Sequence, residues 1–194
     1  MKKIFSILIL MISCCALAGD LEDAEAAFYK NDYKLALAKF KSAAEGGNAH
    51  AQFMVGALYQ EGKGTPQNYK EAARWYGLGA AQGDAAAMVN LGALYSQGLG
   101  VAQNYALAMK WVRTAAEQGH PLGQFKLGAS YVMGKGSLEN FVLAHMWLNL
   151  ASAGGNKEAS DFRDVLSKQM TPQQIAEAQR LARECFARDF KKCE

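Results

Sequence analysis

The sequence predicts an all-α protein, a right-handed α/α superhelix built by stacking antiparallel helix pairs, and three observations carry that prediction. Residues 49–84, 85–120 and 121–156 align without a gap as three segments of 36 residues each. Gly56, Gly92 and Gly128, Tyr59, Tyr95 and Tyr131, and Trp75, Trp111 and Trp147 recur at matching offsets. Apolar residues within each segment fall at helical spacing on both sides of a glycine-rich break. A fixed period of this length marks a solenoid, in which each unit buries its apolar face only against its neighbours. Solenoids of this kind hold partners more often than they catalyse.

The first residues read as a targeting segment. Lys2 and Lys3 precede an apolar run from Ile4 to Ile12, and Ala16-Leu17-Ala18 supplies a small-x-small site before Gly19. This is the order of a secretory signal peptide over residues 1–18, with cleavage after Ala18. A second reading attaches lipid at Cys14 or Cys15, although Met11 stands where such a signal takes leucine; a third leaves the segment as an uncleaved anchor. Without residues 1–18 the chain keeps 19 basic and 18 acidic residues, so no electrostatic reason exists to expect nucleic acid or anionic lipid as a ligand. Export places the protein in the periplasm or outside the cell, with no membrane insertion once the signal is removed.

Residues 19–48 form a shortened first repeat. Tyr33, Ala36, Phe40, Ala43, Ala44 and Gly47 keep the second-helix offsets, but Asn31-Asp32 replaces the glycine loop. In the first full unit a helix is expected over Ala49 to Glu61 and a second over Asn68 to Gln82. Between them Gly62 and Gly64 permit left-handed backbone and Pro66 stops the helix. Asn68 and Asn104 are placed as N-caps of the second helices, and Gly83, Gly119 and Gly155 as their C-terminal stops. The third unit reads Ser137-Leu138-Glu139-Asn140-Phe141 where the others carry the Pro-Gln-Asn-Tyr type of loop.

A mid-helix glycine costs about 1 kcal/mol relative to alanine. Its recurrence at 56, 92 and 128 therefore implies close helix approach, with Ala72, Ala108 and Ala144 as the opposing small surface. The tryptophans are expected to fill the space between units, so that Trp111→Ala costs about 3–5 kcal/mol. Residues 157–194 read as a capping helix pair. One helix is expected from Lys157 to Lys168, then a second opened by Thr171 as N-cap, Pro172 at the first position and Gln174 completing a capping box.

Cys185 and Cys193 are the only cysteines outside the first 18 residues. Eight positions on one helix span about 12 Å, so a bridge requires the helix to end between them; two separate thiols are the other reading.

The pattern from Ala51 to Tyr76, Ala-Gln-Phe-x-x-Gly-x-x-Tyr-x-x-Gly-x-Gly-Thr-Pro-Gln-Asn-Tyr-x-x-Ala-x-x-Trp-Tyr, resembles the Sel-one-like repeat family, α-solenoids related to the tetratricopeptide repeats. The resemblance implies an adaptor or scaffold, often at the bacterial cell envelope, with no common enzymatic activity. In the cysteine-rich exported branch of that family a Cys-seven-residues-Cys spacing links one helix to the next, which implies a Cys185–Cys193 disulfide here. Those same relatives make penicillin binding or lactam hydrolysis, or another cell-wall-related enzymatic activity, the alternative to a non-enzymatic scaffold.

Catalytic signatures are missing. Gly62-Lys63-Gly64-Thr65 and Gly134-Lys135-Gly136-Ser137 lack the spacing and the preceding strand of a phosphate-binding loop. Gly128-Ala129-Ser130-Tyr131-Val132 starts as a nucleophile elbow does but lacks the closing glycine. The chain holds no Ser-x-x-Lys and no Lys-Thr-Gly. His50, His120 and His145 sit in different units, are read as solvent-facing or loop residues, and have no metal-ligand spacing. No catalytic residue, cofactor or metal site is assigned.

A partner surface is expected on the first helices, whose positions outside the core pattern are His50, Phe53, Met54 and Gln60, then Ala86, Val89, Asn90 and Ser96, then Leu122, Phe125, Lys126 and Val132. Their mixed, weakly charged character suits a protein or peptide partner. Phe53, Val89 and Phe125 share one offset, so packing alone also accounts for them.

Overall fold

Ten helices account for all regular secondary structure among residues 19–194, the part of the chain that this computed structural model describes. They are α1 (residues 19–29), α2 (Tyr33–Glu45), α3 (Ala49–Glu61), α4 (Tyr69–Ala81), α5 (Ala85–Gln97), α6 (Tyr105–Glu117), α7 (Pro121–Met133), α8 (Phe141–Ala153), α9 (Lys157–Ser167) and α10 (Pro172–Ala187). The signal segment, its cleavage after Ala18 and lipid attachment at Cys14 or Cys15 concern residues outside the described ones. The helices fall into two compact units, one ending at Asp84 and one from Ala85 to Glu194. In the first, α3 pairs with α4 and packs on α2; in the second, α5 pairs with α6 and α7 with α8, and α7 packs on α6.

Helix ends are set by side chains. The Oδ1 atoms of Asn68, Asn104 and Asn140 accept from the backbone N–H of Glu71, Leu107 and Leu143 at 3.1, 3.0 and 3.0 Å. Their own N–H groups donate to the carbonyls of Tyr59, Tyr95 and Tyr131 at 2.9, 2.9 and 3.1 Å, which ties the second helix of each pair to the end of the first. The third loop keeps this geometry despite its different residues, because Asn140 and Gly134 hold the register and Leu138, 89% exposed, takes no part.

The recurrent mid-helix glycines do mark close approaches, but against different atoms from those expected. A Cβ on Gly56 would lie 2.6 Å from the Tyr76 ring; on Gly92, 2.8 Å from Val112 Cγ2; on Gly128, 2.9 Å from Leu148 Cγ. Ala108 and Ala144 enter through their carbonyl oxygens, each 3.0 Å from such a Cβ, whereas the three nearest atoms at Gly56 all belong to the Tyr76 ring. The glycine makes room for a large residue one turn beyond the alanine. The loop glycines reach backward in the chain. At Gly64 (φ +72°) a Cβ would lie 2.2 Å from the Tyr33 carbonyl oxygen, and at Gly136 (φ +85°) 2.5 Å from that of Tyr105. Each loop is seated on the first residue of an earlier helix.

The tryptophans are not equivalent. Trp75 is buried with Phe40, Val55 and Leu58 in the core of the first unit, and Trp147, 1% exposed, is in that of the second. Trp111 is only partly buried. The cavity cost expected for Trp111→Ala therefore belongs to Trp147, since that cost scales with the packed volume removed.

In the second unit α9 and α10 both pack on α8. Ala159, Leu166, Ala178 and Ala182 extend the core shared by Leu127, Met146 and Leu148. The expected capping box forms, with Thr171 Oγ1 accepting from Gln174 N at 3.2 Å and Gln174 Oε1 from Thr171 N at 2.8 Å.

Candidate functional site

The residues expected at a partner surface fall in both units. On α3, His50 is exposed, with its Nε2 3.9 Å from Glu25 Oε1. The Phe53 ring lies between His50 and Tyr76, with centroids 6.1 and 5.9 Å away. Met54 is half-buried against the core of the first unit. Gln60 is half-buried too, and its main-chain carbonyl accepts from Gln67 Nε2 at 2.7 Å.

In the second unit Val89 is 3% exposed, a buried residue of α5, as the shared offset with Phe53 and Phe125 allowed. Ala86 and Asn90 are half-buried, and the Asn90 amide donates to the Ala86 carbonyl at 3.0 Å, so that polar group is engaged within its own helix. Val132 packs against the core. Leu122 is 38% exposed. Phe125 is half-buried, edge-on to Phe162 with centroids 6.3 Å apart.

Val89, Ser96, Phe125 and Lys126 line one cleft of about 360 Å³ between α5, α6 and α7. Gly92, Ala93 and Gln97 continue its α5 wall, and Ala129, Ser130 and Met133 its α7 wall. Tyr105, Met109 and Val112 of α6 also line it, as does Lys135 beyond α7. A reading restricted to first helices misses these last four. The available signal was that Met109 and Val112 follow Tyr105 at helical spacing on the α6 stripe that meets the glycine at position 92.

A second cluster ties the C-terminal segment down. The Cys185–Cys193 disulfide is formed, and Asp189, Phe190 and Lys192 take left-handed φ values of 54°, 60° and 54° as the chain turns back. Phe190 then covers Gly119, where a Cβ would meet its ring at 2.8 Å. The Glu194 carboxylate accepts from Trp147 Nε1 at 2.8 Å, from the Tyr131 hydroxyl and from Arg113. Burial, together with the nearby Glu194 carboxylate, pushes the Tyr131 phenol well above its ordinary value. Nothing at the sequence level singles out Glu194.

His145 is also corrected, from solvent-facing to 2% exposed, because α8 is enclosed by α7, α9 and α10. Its Nε2 lies 3.1 Å from Ser167 Oγ. Burial first, and then the Arg163 guanidinium, hold its pKa below the ordinary histidine value against the smaller opposing effect of Asp164. His120 serves as N-cap of α7, its Nδ1 accepting from Gly123 N at 3.3 Å. Among the described residues no group of three or more His, Cys, Asp or Glu side chains is placed to hold a metal ion, and no helix is long and apolar enough to cross a membrane.

Helix pairs in a fixed register, each seated on the one before it within its unit, define an α-solenoid whose features are packing devices and a lined cleft. The Sel1 repeat model matches residues 49–84, 85–120 and 121–156, and the chain belongs to the Sel1 repeat family. Sel1 repeat proteins are in general protein-interaction scaffolds and typically non-catalytic. Among solved structures the chain is similar to a protective antigen of uropathogenic Escherichia coli strains displaying an SLR fold, at 31% identity and a TM-score of 0.75 over 82% of this chain. It spans 34% of that antigen, about a third of its length. A Sel1 repeat protein from Oxalobacter formigenes is similar at 28% identity with a TM-score of 0.72, over 86% of this chain and 75% of that one. No curated protein sequence matches the chain.

Proposed function

We propose that this protein is a non-enzymatic interaction scaffold of the bacterial cell envelope, periplasmic or secreted, that engages a protein or peptide partner through the cleft between α5, α6 and α7. The observation that carries the reading is the cleft itself, an apolar floor bordered by Lys126 and Lys135 within a chain of a scaffold family. Its volume, about 360 Å³, suits a few side chains of a partner segment. The basic and apolar order of residues 1–18 and the paired cysteines support export to an oxidising compartment.

The test is site-directed photocrosslinking in intact cells followed by fractionation. A photoreactive residue at position 133, where the exposed Met133 lines the cleft, should trap the same partner repeatedly in the periplasmic or secreted fraction. The same residue at Gln173, exposed on α10, should trap none. Equal trapping at both positions, or none at either, refutes the reading.

A further inference from the structure

The cleft also states what chemistry its occupant must bring. Its floor is apolar, from Val89, Met109, Val112 and Phe125, whereas both charged residues that line it are cations. Neither Lys126 nor Lys135 meets a carboxylate among the described residues. Each Nζ instead lies over an aromatic ring, Lys126 over Phe125 and Lys135 over Tyr105, both 5.5 Å from the centroid. An ammonium held over a ring keeps its charge against apolar surface without a counter-ion. An occupant that fills the floor strips further water from both ammoniums, which is costly unless it supplies negative charge.

Lys126 and Ser130 belong to one stripe of α7, and Lys135 follows the helix end at Gly134. Lys135 is held beside Tyr105 because the next residue, Gly136, is seated on the Tyr105 carbonyl. The Ser96 and Ser130 hydroxyls donate to the carbonyls of Ala93 and Lys126 at 2.9 and 2.8 Å. Their oxygen lone pairs are left to accept from an occupant's N–H groups.

We infer that the cleft binds an extended peptide segment in which apolar side chains are flanked by carboxylates. The inference rests on the interaction reading above and specifies the partner's chemistry.

The test is fluorescence anisotropy of the purified full-length protein with a labelled heptapeptide, Glu-Ser-Leu-Ser-Phe-Ser-Glu, whose Glu, Leu and Phe side chains share one face when extended. Saturable binding is expected, at least tenfold weaker when both Glu are replaced by Lys or when Leu and Phe are replaced by Ser. The K126E/K135E variant should lose at least tenfold for the acidic peptide and gain for the lysine peptide. Both lysines are exposed, so its helical circular dichroism should be unchanged; if it is not, K126Q/K135Q takes its place, with the same tenfold loss expected for the acidic peptide. Absent saturable binding, equal affinity for acidic and basic peptides, or an unchanged affinity in the lysine variants overturns the inference. Failure here with crosslinking at position 133 intact removes only the acidic chemistry, whereas loss of the crosslink removes the interaction reading itself.

Discussion

A glycine inside a helix is informative only through what stands opposite it, and this chain offers a matched comparison. Gly128 of α7 faces Leu148 Cγ and the Ala144 carbonyl at 2.9 and 3.0 Å from any added Cβ, whereas Gly77 of α4 has nothing within 4 Å. Gly77→Ala should raise stability by up to about 1 kcal/mol through helix propensity alone. Gly128→Ala gains the same propensity but forces backbone carbonyl and side chain apart, so a net loss of about 1–3 kcal/mol is expected. Urea unfolding of the two variants beside the parent checks both signs; equal shifts would remove the close-approach account. The sequence made the periodic glycines visible as packing devices, but not their contacts. Which atom fills the space depends on the residue one turn past the alanine, Tyr76, Val112 or Leu148, and no periodicity ranks those three.

Among the helices, α8 was the least legible and has the most to report. Its residues from Phe141 to Ala153 are apolar nearly all round, and the one titratable side chain, His145, is enclosed with its Nδ1 unpartnered. Because its folded pKa lies below the unfolded one, near 6.5, the unfolded chain binds the extra proton first as pH falls. The contribution of neutral His145 is thus complete above about pH 6.5 and is lost progressively as pH falls below it toward the folded value. Thermal melts between pH 7.5 and 5 should show falling stability, with a shallower slope in His145→Gln; an unchanged slope would exclude His145 as the source. Elements with strong local signals were readable in advance: α3 from its apolar spacing, and α10 from Thr171, Pro172 and Gln174. Burial of a lone histidine was not, since it follows from enclosure by α7, α9 and α10 rather than from any property of residues 141–153.

For the second unit taken whole, the C-terminal segment is a fastening rather than a loose end. The disulfide closes a short loop between Cys185 and Cys193 and delivers Glu194 to Arg113, Tyr131 and Trp147, three residues on three different helices. Loop closure over eight positions of sequence is worth about 2–3 kcal/mol. Cys185→Ser/Cys193→Ser should lower stability by about that amount, make trypsin cleavage at Arg188, Lys191 and Lys192 rapid, and shift the emission of Trp147 as its indole loses the carboxylate. Resistance of the segment to trypsin after removal of the disulfide would contradict this account. The cleft was half legible: Ser96, Phe125 and Lys126 stand out on first helices, while Tyr105, Met109, Val112 and Lys135 join them only through the placement of α6 and the loop after α7. The backward reach of the loop glycines also gives assembly a direction. Gly64 and Gly136 settle on carbonyls of residues 31 positions earlier, so a chain emerging from the ribosome N-terminus first always has the seat built before the loop arrives. Glu194 follows the same order, joining Arg113, Tyr131 and Trp147 only after the three helices that carry them have been made.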